Sequence, residues 1–142
     1  MVVAVAIALA IQTPNPAPVQ SYAGTWTAEL AGATYVRLEL EAATDALRGK
    51  LSLGNMQVDK QGQVSKAENA PRESTPLTEV VRRDSHLSFS RKDGEETDHF
   101  QMRLLGPETA ELVFLPTEEF KKELADAGIP LPKPIRLKKA SR

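Results

Sequence analysis

From residue 24 onward, apolar and polar side chains alternate with a period of two. Val36, Leu38 and Leu40 are set against Tyr35, Arg37, Glu39 and Glu41, the pattern of a strand with one face buried. Before them, Trp26, Ala28 and Leu30 share a face opposite Thr25, Thr27 and Glu29; after them, Leu47, Gly49, Leu51 and Leu53 oppose Arg48, Lys50 and Ser52. Gly32 and Thr44-Asp45 supply turns between the three runs, and connections this short make the strands antiparallel neighbours. A chain that commits so early to half-buried strands must cover its sheet edges or close them on each other.

The remainder extends the pattern less regularly. Met56 and Val58 predict a short run, Lys60-Gln61-Gly62-Gln63 a turn and Val64 another short piece. Glu68 to Pro76 is polar and proline-bounded, and reads as a long mobile loop. Strands resume at Leu77 to Arg82 and at Leu87 to Arg91, with Leu87 and Phe89 facing inward. Lys92-Asp93-Gly94-Glu95 is a hairpin signal, because Asp-Gly accommodates the positive φ of a tight turn. Phe100, Met102 and Leu104 then alternate with His99, Gln101 and Arg103, and Gly106-Pro107-Glu108 turns the chain into Ala110, Leu112 and Phe114.

One segment reads as a helix. Thr117 can cap it, Glu118 and Glu119 suit its positive end, and Gly128 can close it. Phe120, Leu124 and Ala127 make a narrow apolar stripe suited to a barrel wall. Pro130, Pro132 and Pro134 then force an extended path into Ile135-Arg136-Leu137. The fold class expected is all-β: a closed up-and-down antiparallel barrel of about eight strands, with one C-terminal helix before a short last strand. A two-sheet sandwich is the alternative, since periodicity does not show closure.

With 142 residues there is room for one domain. Residues 1–23 are expected to be a signal peptide and proline-rich linker, 24–138 the barrel and 139–142 a basic tail. Val2 to Ile11 is an unbroken apolar run followed by Thr13-Pro14-Asn15-Pro16-Ala17-Pro18. It is too short for a membrane span, which takes about 20 residues, but suits the core of a bacterial-type signal peptide. Ala8-Leu9-Ala10 offers small residues for cleavage, although no Lys or Arg precedes the run. The expected location is extracytoplasmic, periplasmic or secreted. A formal net charge of −1, from 18 basic and 19 acidic side chains, argues against a nucleic-acid partner, which calls for a basic footprint. The chain has no cysteine, which excludes disulfides, thiolate metal sites and thiol nucleophiles.

Gly24-Thr25-Trp26 opening the first strand resembles the Gly-x-Trp signature of the lipocalins and avidins, the calycin barrels. The order of a strand meander, a helix and a short extra strand resembles lipocalins as well. In that family an Arg from the chain's end packs over the Trp and closes the barrel base, and the resemblance matches Arg136 to it. A Trp26–Arg136 structural plug is therefore expected, held by cation–π stacking. Thr97-Asp98-His99 is faintly like the family's Thr-Asp-Tyr motif. The same stretch is similar to small exported bacterial Gly-Thr-Trp β-domains, some placed beside α/β-hydrolases.

No catalytic residue, metal site or cofactor is expected. His86 and His99 are the two histidines, and neither has a partner at metal-ligand spacing. Asp84-Ser85-His86 has the residue types of a hydrolytic triad, but adjacent strand positions point to opposite faces. Glu95-Glu96-Thr97-Asp98 reads as a solvated turn, and Arg82-Arg83 and Arg91-Lys92 as solubilising patches. The inward positions Leu38, Leu51, Phe89, Phe100 and Leu112 remain as candidate ligand contacts, since an eight-stranded barrel is near the size where a filled core and a cavity both occur. Two functions are expected from this: a calycin-like domain holding a small apolar ligand in its barrel, or a packed accessory and interaction module with no cavity.

Overall fold

The computed structural model describes residues 18–44 and 46–140. The expected signal peptide and most of its linker, with Asp45, Ser141 and Arg142, lie outside the described residues. In chain order the elements are α1 (Val19–Tyr22), β1 (Gly24–Leu30), β2 (Ala33–Ala43), β3 (Ala46–Leu53), β4 (Met56–Val58), β5 (Val64–Ala67) and β6 (Thr75–Arg82). They continue as β7 (Leu87–Asp93), β8 (Glu96–Leu104), β9 (Thr109–Leu115), α2 (Glu118–Asp126) and β10 (Ile135–Lys139).

Eight strands close into one antiparallel barrel in the order β1-β10-β9-β8-β7-β6-β3-β2. The seam is made by β1 and β10, with Trp26 opposite Lys139 and Thr27 opposite Lys138. Closure settles the choice between barrel and sandwich: no strand of the ring keeps an unpaired edge. The alternation in sequence translates directly into packing. Trp26, Val36, Leu38, Leu51, Leu87, Met102, Ala110 and Leu137 are all fully buried inside the ring.

The middle of the chain departs from a simple meander. Met56–Val58 and Val64–Ala67 pair with each other as a separate two-stranded hairpin and contribute nothing to the ring. Leu53 is followed by Gly54-Asn55 and then by strands of three and four residues, too short to span the wall, so β6 takes the place beside β3. The polar segment after β5 is anchored to the barrel. Arg37 Nη2 donates to the Pro71 carbonyl at 2.6 Å, Ser52 Oγ donates to the same oxygen at 2.7 Å, and the Thr34 N–H donates to Asn69 Oδ1 at 2.9 Å. That cover explains why outward-facing Ser52 is buried.

The two ends of the ring are built differently. One end gathers the β2–β3, β6–β7 and β8–β9 turns together with α1. The other gathers the β1–β2 and β7–β8 turns, the β4–β5 hairpin, and the segment carrying α2 and the prolines. The alternation begins at Gly24, but the folded unit starts earlier: Val19 and Tyr22 of α1 belong to the core. Helix α2 forms where its caps predict, with the Phe120 N–H donating to Thr117 Oγ1 at 3.1 Å. It buries none of its residues, however, so it roofs the barrel end without sealing it.

Candidate functional site

At the α1 end the barrel is shut. The Trp26 indole N–H donates to the Tyr22 carbonyl at 2.9 Å, which satisfies the one polar group of a fully buried ring. Burial raises the Tyr22 phenol above its ordinary value of 10.0, with the Arg82 charge opposing the rise. The cation over the Trp26 ring is Lys139, whose Nζ lies 5.0 Å from the ring centroid. The resemblance matched Arg136 to this place, yet Arg136 is exposed and stands opposite Glu111. Strand parity accounts for the difference. Leu137 points inward, so residues two apart from it share its face, and Arg136 and Lys138 face out. Gly24 has φ of +132°, and a Cβ there would sit 3.3 Å from Lys139 Cε, so the first residue of the motif gives the lysine stem room as well as an unusual backbone angle.

At the opposite end lies a cavity of about 580 Å³. Leu53, Phe100, Leu112, Phe114 and Ile135 contribute barrel wall, Met56 and Val58 come from the hairpin, and Phe120, Leu124 and Ile129 overhang from α2 and the segment behind it. Lys133 fixes that segment: its N–H donates to the Gly62 carbonyl at 2.9 Å. Gly62 has φ of +83°, and a Cβ there would come within 2.7 Å of the Leu131 carbonyl oxygen. The hairpin turn and the proline segment therefore approach this closely only because residue 62 lacks a side chain.

All four phenylalanines join the core to this roof. Phe89 stacks on Phe100 at 5.6 Å between centroids, Phe100 meets Phe114 at 5.7 Å, and Phe114 meets Phe120 edge-on at 5.8 Å. The first is buried at 2 % exposure and the last stands 38 % exposed, so one aromatic run leads from the packed interior to the mouth. Of the five interior candidates, Phe100 and Leu112 line the cavity. Leu38, Leu51 and Phe89 are packed into the core and do not line it.

The polar groups at the cavity are few: Gln57, Asp98 and Lys133. Asp98 is held by Arg91, with Nη2 to Oδ2 at 3.1 Å, and the two side chains are only 23 % and 13 % exposed. Arg91 comes two residues after Phe89 and Asp98 two before Phe100, and these pairs stand opposite each other across β7 and β8. The ion pair is thus the next inward layer above the aromatic one. The Asp98 turn and the Arg91-Lys92 patch were each expected to be solvated. The period of two, carried one step past each phenylalanine, is the signal that places Asp98 and Arg91 on the inner face.

The histidines do not form a site with the cavity. His99 projects from the outer face, where its Nδ1 lies 2.8 Å from the buried Ser90 Oγ, and Ser90 Oγ donates to Glu79 Oε2 at 3.5 Å. The acid meets the hydroxyl and not the imidazole, so the order needed to activate a serine is absent. Ser85 Oγ and His86 Nδ1 are 3.3 Å apart in the exposed β6–β7 turn. Among the described residues, no group of three or more His, Cys, Asp or Glu side chains could hold a metal ion. No described helix is long and apolar enough to cross a membrane.

The architecture is compatible with a calycin-like barrel. Comparison with protein families, with curated proteins and with solved structures finds no match to this chain.

Proposed function

We propose that this protein is an extracytoplasmic, calycin-like domain that holds a small apolar molecule at the open end of its barrel. The observation that carries the reading is the cavity of about 580 Å³, which falls within the roughly 300–1,000 Å³ of small-molecule sites. Its walls are mainly apolar, with one polar side chain each from the barrel, the hairpin and the roof segment. A second feature supports it. Among the described residues, Leu115, Phe120, Ile129 and Leu131, four of the six large apolar side chains left exposed, lie between the end of β9 and the start of β10. Phe120 and Ile129 line the cavity itself, and exposed apolar surface at a mouth favours an occupant. The closed end favours the other reading, a packed interaction module, because Leu38, Leu51 and Phe89 fill that half. The filling stops below the mouth, and the ligand reading rests on the half that remains.

Nile red, a neutral apolar dye, tests the reading. The full chain should bind it saturably with a blue shift in emission. Replacing Leu124 and Ile129 together by Ser removes apolar roof from side chains that are not buried. This double variant should keep its melting temperature and weaken dye binding by about tenfold, the loss expected for two partly covered aliphatic groups. Absence of saturable binding, or a double variant that binds as well as the parent, would overturn the cavity as the site. The extracytoplasmic location rests on the apolar run Val2 to Ile11 and the prolines after it. N-terminal sequencing of protein recovered from the cell exterior or periplasm should find the run removed; an intact run on cytoplasmic protein would refute it.

A further inference from the structure

A second, smaller groove of about 290 Å³ adjoins the apolar cavity and shares Asp98, Phe114 and Phe120 with it. Where the cavity is apolar, the groove is acidic: Glu96 from β8 and Glu119 and Glu123 from α2 line it with Asp98. Asp98 is neutralised by Arg91, and Glu118 next door is paired with Lys121 at 3.0 Å. Among the described residues, no basic side chain lies within ion-pair distance of Glu96, Glu119 or Glu123. The helix dipole accounts for Glu119 in the first turn. It does not account for Glu123, placed one turn on, where two like charges four residues apart repel by a few tenths of a kcal/mol. Nor does it account for Glu96, which comes from a strand.

We infer that the occupant of the cavity is a cationic amphiphile, with an apolar body among Phe100, Leu112 and Phe114 and a protonated amine or quaternary ammonium head in the groove. This inference rests on the cavity reading above and adds the chemistry of the head. The geometry suits it twice over. The apolar walls lead without interruption into the carboxylates, and the edge-on Phe114–Phe120 pair stands at the junction, where aromatic faces attract a cation. An anionic head would meet the three uncompensated carboxylates. Neither nearby cation serves the groove: Lys133 lines the cavity and not the groove, and Arg91 is committed to Asp98.

Competition against bound Nile red decides it, using decylammonium, decanol and decanoate below their micellar concentrations near about pH 7, where the amine and the acid are both ionised. Decylammonium should displace the dye at about one tenth of the decanoate concentration, with decanol between them, and added salt should narrow the gap. Replacing Glu96, Glu119 and Glu123 by Gln, all exposed positions that leave the core untouched, should bring decylammonium to the level of decanol. Decanoate competing as well as decylammonium, or a triple variant that keeps the ammonium preference, would overturn the cationic head. If decanol displaces the dye and the ammonium has no advantage, the cavity stands and only the head falls. If none of the three displaces it, the amphiphile falls as occupant, while the cavity is still decided by dye binding and the Leu124 and Ile129 variant.

Discussion

The two ends of the barrel are made from the same alternating strands, and they differ in the layer beyond the last inward apolar residues. At the α1 end that layer is a fully buried indole, with a carbonyl for its N–H and a lysine across its face. At the α2 end it is an ion pair and the partly exposed Phe120 of a helix that buries nothing. One end has its indole N–H satisfied four residues away and is finished as a core. The other borrows its walls from three separate segments and leaves space among them. The first end is the more tightly packed of the two, and the second, where α2 buries nothing, is where we place the ligand.

Substitution at each end can break that division. Trp26→Ala removes the largest buried side chain and should cost about 3–5 kcal/mol of unfolding free energy in urea titration. A cost below about 1 kcal/mol would remove the plug role. Phe120→Ala at the other end should cost about 1 kcal/mol or less, because the ring is already partly in solvent and its edge-on contact with Phe114 is the main loss. It should nonetheless weaken Nile red binding, whereas a Phe120→Ala variant as destabilised as Trp26→Ala would mean the roof is part of the core.

The smallest effect concerns alkaline pH. Burial raises the Tyr22 phenol in the folded state, so the folded protein holds that proton more tightly than the unfolded chain does. The associated stabilisation is complete below the unfolded value of 10.0 and is lost as pH rises from there through the raised folded value. Unfolding free energy should therefore fall across that window, and Tyr22→Phe should fall less. Tyr35, also raised by burial, keeps part of the slope in the variant. Identical slopes in the two proteins would show that the closed end does not resist ionisation.

Legibility in the sequence has the same geography. The wall was readable because each of its strands obeys one rule, that alternate residues meet the same environment. Trp26, Leu38, Leu51, Phe89, Phe100 and Leu112 all fall inside on that rule. The β4–β5 hairpin was not placed, since runs of three or four residues carry too little alternation to show which neighbour they pair with. The cavity was hidden for a related reason. It arises from distances between segments far apart in sequence, such as Gly62 and Lys133, and no local pattern encodes a gap. Strand parity carries two further positions. Leu137 fixes Lys139 as the inward cation, against the resemblance that points to Arg136, and Phe89 and Phe100 fix Arg91 and Asp98 as the next inward pair, against a solvated turn.

The seam between β1 and β10 has a consequence for how the chain is made. Every other neighbouring pair in the ring is joined by a turn or by a local insertion, while these two strands are more than a hundred residues apart. Until β10 docks, the sheet from β1 to β9 has two outer strands that present open backbone. Such edges can pair with those of another unfinished chain. Ring closure therefore waits on the five residues of β10, whose lysines at 138 and 139 pair with Thr27 and Trp26 of the first strand of the ring.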